Sequence, residues 1–134
     1  MSSEMFWLTL TVVYSSLLFI PYAYVRISKI SKIHPLQVFI DPVPGDDPFD
    51  EAWAHRAYRA HMNAFENLVL FAPLAIAVEV SGAGNEVTAA ACATYFWARL
   101  IHAPFYITKT PYVRTLAYFV GLIACLVLAY SLLV

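Results

Sequence analysis

Four long apolar segments alternate with shorter polar stretches along the chain. They lie at about 5–26, 55–81, 87–107 and 113–134, and each is close to the ~20 residues that a helix needs to cross a hydrocarbon core. Backbone polar groups find no water inside a bilayer, so a spanning segment is a helix or part of a closed barrel. These segments lack the alternation typical of barrel strands. The pattern predicts an all-α integral membrane protein with a single domain, 1–134.

The connections between the predicted helices differ in length. Residues 27–54 form the one long connection, and its centre at 33–52 is rich in proline and acidic residues. Turns over 81–85 and 108–111 form the other two, and short connections join antiparallel neighbours, which predicts an up-down bundle of four transmembrane helices. We interpret the acidic stretch 41–51 as a solvated connector, with a lid over a cationic cavity as the alternative.

Basic residues near the helix ends indicate the orientation. With four spans, both termini share one side with the 81–86 turn, and that side carries no Lys or Arg. The opposite side carries Arg26, Lys29, Lys32, Lys109 and Arg114. The positive-inside rule places the basic side in the cytoplasm and both termini outside it. We therefore expect a multi-pass membrane protein with both termini on the non-cytoplasmic side.

The composition supports a membrane protein and excludes other classes. Of the 134 residues, 61% are hydrophobic and 13% are charged, and a soluble monomer of this size cannot bury so much apolar surface. The net charge of -1 provides no basic field for nucleic acid. Cys92 and Cys125 stand among apolar neighbours and resemble neither a disulfide framework nor a metal pair. No metal site is expected.

Polar residues cluster within the predicted spans, where the bilayer disfavours them and where they mark candidate sites. On the second helix an Arg, an Asn and a Glu recur at spacings of four and three, and on the third an Arg, a His and a Tyr recur at three and four, so each set shares a face. The two faces lie at the same depth, since one helix enters and the other leaves on the basic side. The eight residues of this layer are Arg26, Arg59, Asn63, Glu66, Arg99, His102, Tyr106 and Arg114.

Four arginines and one carboxylate make the layer suited to an anion with several hydrogen-bonding groups, because a guanidinium holds a carboxylate with two parallel bonds. The structural alternative is an ion pair of Glu66 with Arg59 or Arg99 that fixes the register of the bundle. The position of His61 in the sequence is equally consistent with a hydrogen bond between helices and with a place in the site. Tyr118 is interpreted as a packing or interfacial residue.

Two stretches, RAHMNAFEN at 59–67 and ARLIHAPFY at 98–106, resemble the second and third helices of the MAPEG family, the membrane-associated proteins of eicosanoid and glutathione metabolism. Arg114 and Thr115 continue the resemblance in the fourth helix. It covers essentially the whole chain in length and in helix number and order. In its motifs the chain resembles the microsomal prostaglandin E synthase and microsomal glutathione transferase type, and His102 matches the prostaglandin synthase. In size it resembles bacterial members, which implies a bacterial inner membrane.

The resemblance implies a homotrimer in which glutathione binds between neighbouring subunits near the cytoplasmic surface. It implies a glutathione-dependent transferase or peroxidase that acts on a lipophilic small molecule arriving from membrane lipid. By position, the eight residues of the layer correspond to glutathione contacts or their supports, and Arg114, Thr115 and Tyr106 to catalytic residues. An arginine at the start of a helix also adds its charge to the helix dipole, and both stabilise an anion.

Met62 departs from the family pattern, because the prostaglandin synthase branch has an Arg there that contacts the tripeptide. Loss of that cation favours another thiol or another amphipathic anion, or a non-catalytic lipid-binding or scaffold protein of the same fold. A transporter subunit that uses the polar layer as an ion path is disfavoured, because the sequence has no broken or inverted repeat.

Overall fold

The computed structural model describes residues 1–30 and 49–134, and all regular structure in these ranges is helical. The helices are α1 (Ser3–Leu17), α2 (Ile20–Ile30), α3 (Ala52–Ser81), α4 (Glu86–Ile107) and α5 (Pro111–Leu133). The prediction of an all-α protein is therefore confirmed. The predicted loop 27–54 is shorter at both ends, because α2 and α3 extend into it, and most of its centre, 33–52, lies outside the described residues, as does most of 41–51.

The first predicted span, 5–26, lies within one span-length helical segment, Ser3–Ser28, in which a two-residue turn at 18–19 separates α1 from α2. Pro21 explains the break. It has no N–H to donate to the carbonyl of Leu17, and its ring clashes with that carbonyl in a regular helix. The last turn of α1 tightens accordingly, and the N–H of Leu18 donates to the carbonyl of Ser15 at 3.3 Å.

Three helical segments are long and apolar enough to cross a membrane, namely Ser3–Ser28, Ala52–Ser81 and Pro111–Leu133. Many of their large apolar side chains face outward, as Val69 and Leu116 do, which suits contact with lipid rather than water. The helix α4 has 22 residues, a length of about 33 Å at the usual helical rise. It is not among these three segments.

The helix α4 lies at the centre of the bundle and packs against α1, α3 and α5. In the core, Phe71 of α3 stacks on Tyr95 of α4 with ring centroids 3.8 Å apart, and Val78, Cys92 and Leu128 surround the pair. The two short connections make α3, α4 and α5 successive antiparallel neighbours. This packing fixes the faces of α3, α4 and α5 that meet at the candidate site.

Both short connections end the preceding helix with a left-handed residue, Gly82 at φ 71 and Lys109 at φ 60. In each, two successive N–H groups fold back onto the last helical carbonyls at 3.1 to 3.3 Å after α3 and 3.0 to 3.2 Å after α4, which is the Schellman arrangement. Glycine adopts this backbone freely, whereas a side chain makes it unfavourable by about 1 kcal/mol. The connection at Lys109 is therefore strained.

Charged residues distinguish the two ends of the bundle. The acidic end, where the N-terminus meets the α3–α4 connection, holds Glu4, Glu79 and Glu86. The opposite end, which we call the basic end, contains the end of α2, the start of α3 and the α4–α5 connection. Its described basic side chains are Arg26, Arg56, Arg59, Lys109 and Arg114.

Two polar contacts tie α1 to α4. At the acidic end, Glu4 is buried and its Oε1 accepts a hydrogen bond from the hydroxyl of Thr88 at 2.6 Å. The same threonine forms a capping box with Asn85 at the start of α4. Farther along, Pro104 has no N–H for the carbonyl of Leu100, and the hydroxyl of Tyr14 donates to that oxygen at 3.3 Å.

Candidate functional site

A pocket of about 370 Å³ lies between α3, α4 and α5 near the basic end. Its lining residues are Asn63, His102, Tyr106, Arg114, Thr115, Tyr118 and Phe119. The lining thus offers an amide, an imidazole, a guanidinium, two phenols and an aliphatic hydroxyl. No carboxylate of the described chain is among them. Such a pocket is suited to a negatively charged ligand.

Arg114 occupies the first turns of α5, which Pro111 opens. No side chain of the described ranges caps this helix end, so its N–H groups add a positive partial charge to that of the guanidinium. The guanidinium carbon of Arg114 lies 4.8 Å from the centre of the Tyr106 ring, a cation–π distance. The aromatic ring thereby helps to hold the cation at the pocket.

His102 and Tyr106 stand on successive turns of α4, with ring centroids 5.6 Å apart. His102 is buried, yet neither of its ring nitrogens has a hydrogen-bond partner among residues 1–30 and 49–134. Because it lines the pocket, its polar edge is available to a ligand.

Arg99 lies directly behind the pocket and is 3% exposed. Its Nη1 donates to Oδ1 of Asn63 at 3.4 Å. The guanidinium carbon lies 5.2 Å from the ring centre of Tyr95 and 5.5 Å from that of Tyr118. Two of its nitrogens, Nε and Nη2, are buried without a partner in the described structure. Arg99 therefore supports two lining residues without lining the pocket itself.

Besides Arg99, three further predicted site residues do not line the pocket of their own chain. Arg26 packs its guanidinium against the ring of Phe49, with 4.5 Å between the guanidinium carbon and the ring centre. Arg59 and Glu66 are exposed on α3. The alternative ion pair of Glu66 with Arg59 or Arg99 is absent from the described structure.

His61 joins two helices rather than lining the pocket. Its Nδ1 lies 2.7 Å from the hydroxyl oxygen of Tyr22 on α2, and its ring packs on that of Phe65 with centroids 4.8 Å apart. Of the two interpretations that the sequence left open, the structure shows the hydrogen bond between helices.

Sequence reasoning missed the places of Arg56 and Tyr118. The Nε of Arg56 donates to the carbonyl of Ile107 at 2.6 Å and so satisfies an orphan oxygen at the end of α4. The signal was its position seven residues before Asn63, which puts both on one face of α3. Tyr118 lines the pocket, four residues after Arg114 on α5.

No group of three His, Cys, Asp or Glu side chains in the described ranges is arranged to hold a metal ion. No curated protein and no solved structure matches the chain. The sequence model of the MAPEG family matches residues 5–134, a range that includes every residue of the pocket. Since this match covers nearly the whole sequence, the chain belongs to the MAPEG family.

Proposed function

We propose that the protein is a glutathione-dependent membrane transferase or peroxidase that directs an activated thiol at a lipophilic electrophile. The observation that carries this proposal is the pocket, which offers only donors or neutral polar groups within the described lining. MAPEG proteins generally use glutathione, whose carboxylates and thiolate are anions. The residues fit this ligand, and the volume of about 370 Å³ lies within the ~300–1,000 Å³ of ligand pockets.

Arg114 stabilises a thiolate together with the free N–H groups that open α5. Thr115 and Tyr106 direct their hydroxyls at the same sulfur as hydrogen-bond donors. Glutathione supplies the thiol, whose pKa near ~8.5 in water leaves it mostly protonated at neutral pH. Lowering that pKa is therefore the main task of these three residues.

The other residues of the predicted layer position the peptide. Asn63 and His102 contact it from α3 and α4. In a homotrimer with the site between protomers, Arg26, Arg59 and Glu66 of a neighbouring copy complete the open side of the pocket. Glu66 then accepts a hydrogen bond from the ammonium group of glutathione. This arrangement is supported by the exposure of Arg59 and Glu66 at the level of Asn63.

The electrophile enters from the lipid-facing side. Phe119 lines the pocket and is 53% exposed, so an apolar edge joins the polar chamber to the outer surface of the bundle.

We further propose that α4 also crosses the membrane, in addition to the three span-length segments, because short turns join it to two of them. The basic end then faces the cytoplasm, and both termini lie outside it.

An ultraviolet difference spectrum tests the function. Detergent-solubilised protein with millimolar glutathione is expected to show thiolate absorbance at neutral pH, and Arg114→Ala is expected to lose it. Lys109→Gln is the matched control, since it removes an exposed cation from the same end without touching the pocket. An unchanged signal in Arg114→Ala, or no signal in the unmodified protein, contradicts the proposal.

One observation favours a second candidate, a non-catalytic lipid-binding or scaffold protein. Met62 is half-buried at the position where the resemblance expects an arginine, so one expected contact to the peptide is missing. Conjugation of glutathione to a chlorodinitrobenzene separates the two functions. Turnover supports the enzyme, whereas lipid retained through purification without turnover supports the binder.

A further inference from the structure

A buried arginine in a membrane protein is normally paired, because a cation in an apolar interior is unfavourable. Arg99 has only one hydrogen bond, to Asn63, and no carboxylate partner anywhere in residues 1–30 and 49–134. Its planar group lies against two aromatic rings, those of Tyr95 and Tyr118. A flat guanidinium suits this position, and an ammonium does not.

Gly121 of α5 makes room for this side chain. A Cβ at position 121 would lie 2.6 Å from Nη2, 3.2 Å from Nε and 3.3 Å from Cζ of Arg99. These distances are too short for any larger residue unless the guanidinium moves. The guanidinium of Arg99 therefore occupies the space that the absence of a side chain at Gly121 leaves on α5.

The contact with Arg99 determines how Asn63 faces the pocket. Arginine has donors only, so the amide oxygen of Asn63 must be the atom that faces it. The amide N–H groups of Asn63 then have no partner within the described chain. Because Asn63 lines the pocket and its oxygen faces Arg99, these N–H groups are left for a ligand. The lining thereby gains a donor for a carbonyl or carboxylate oxygen.

We propose that Arg99 is a positioning residue of the glutathione site, which orients the amide of Asn63 towards the ligand and whose guanidinium fits only because position 121 is glycine. This inference rests on the proposed function. Because Arg99 acts through the geometry of its planar guanidinium, a lysine at position 99 is expected to keep the positive charge but to leave the amide of Asn63 without its orientation. Binding of the ligand uses an amide that the protein leaves without a partner.

Calorimetric titration of glutathione into detergent-solubilised protein tests the proposal with a double-mutant cycle. Arg99→Met and Asn63→Ala are each expected to weaken binding about tenfold, as the loss of one hydrogen bond to a charged ligand does. The double variant is expected to be weakened about tenfold as well, because the two act as one unit. Arg99→Lys is expected to behave like Arg99→Met, and Lys109→Gln like the unmodified protein.

Thermal unfolding of each variant accompanies the titration. If Arg99→Met does not fold, Gly121→Ala replaces it in the cycle, since that change displaces the guanidinium and removes no polar group. A double variant weakened about a hundredfold, or full affinity in Arg99→Lys, overturns the positioning role alone. A lack of glutathione binding by the unmodified protein overturns the proposed function and this inference together.

Discussion

Two charged side chains of the bundle are almost equally buried and differ in how they are satisfied. Glu4 at the acidic end is 4% exposed and Arg99 beside the pocket is 3% exposed. Glu4 accepts a hydrogen bond from Thr88, which is itself tied to Asn85. Arg99 has one long hydrogen bond and two buried nitrogens without a partner in the described structure.

The comparison separates a structural charge from one that serves a site. Native proteins leave few buried polar groups unsatisfied, and each such group calls for an explanation. At Glu4 the network closes within α1 and α4, so nothing further is needed. At Arg99 the network is incomplete among the described residues, and its one hydrogen bond leads to Asn63, which lines the pocket. Loss of a partner is therefore expected to reduce stability at the first residue and ligand affinity at the second.

The largest stability effect is expected for Thr88→Val. This change removes the donor to the buried carboxyl group of Glu4 and breaks the capping box, with an expected loss of about 2–4 kcal/mol in the free energy of unfolding. Unfolding in mixed detergent micelles, followed by circular dichroism, measures it. Thr94→Val is the control, because Thr94 is exposed on the same helix. Equal stability of the two variants would contradict a structural role for Glu4.

Gly121→Ala is expected to lower the free energy of unfolding by about 1–3 kcal/mol, because the added methyl group overlaps the guanidinium of Arg99. In an Arg99→Met background the flexible side chain can yield, and the higher helix propensity of alanine then offsets most of the loss. The same micelle titration compares the two backgrounds. A penalty that is equal in both would show that the overlap is not with Arg99.

The carbonyl of Leu100 is a backbone group whose hydrogen bond comes from the hydroxyl of Tyr14. Tyr14→Phe is expected to lower the free energy of unfolding by about 1 kcal/mol. The change leaves the carbonyl of Leu100 without its donor. In a Pro104→Ala background the restored N–H at position 104 can bond to that carbonyl, so the loss is expected to fall towards zero. A loss that persists in this background would rule out the carbonyl as the cause.

The smallest expected effect concerns the two helix-ending turns. Lys109→Gly is expected to stabilise the protein by about 0.5–1 kcal/mol, because glycine relieves the left-handed backbone. Gly82→Ala, the reverse change at the acidic end, is expected to destabilise by about 1 kcal/mol. Thermal unfolding of both variants checks the signs. Shifts of the same sign would refute strain at Lys109.

The periodicity of the sequence predicted which residues share a face, and this was enough to bring together Asn63, His102, Tyr106 and Arg114 around one pocket. Their roles remain predictions. The spacing of residues along the sequence did not indicate that Arg99, on the same face of α4 as His102 and Tyr106, lies behind the pocket. A helical face is a local property, whereas the neighbour it meets depends on how α5 packs at Gly121.

Other features depended on contacts between distant residues and had no local signal. The burial of Glu4 requires Thr88, and the contact of Tyr14 with the Leu100 carbonyl requires two helices to meet. The break before α2 did have a signal in Pro21, which the apolar run around it concealed. Apolar length alone is thus a poor guide to helix continuity.

The bond between Glu4 and Thr88 has a consequence for biosynthesis. The two residues are separated by 84 positions, and a ribosome adding 5–20 residues per second needs roughly 4–17 s to make that stretch. During this interval the first span has a carboxyl group near its end with no threonine to bind it. We expect α1 to dock stably only after the start of α4 has been synthesised, so α1 is made before α3 and α4 but settles in the bundle only once both have emerged.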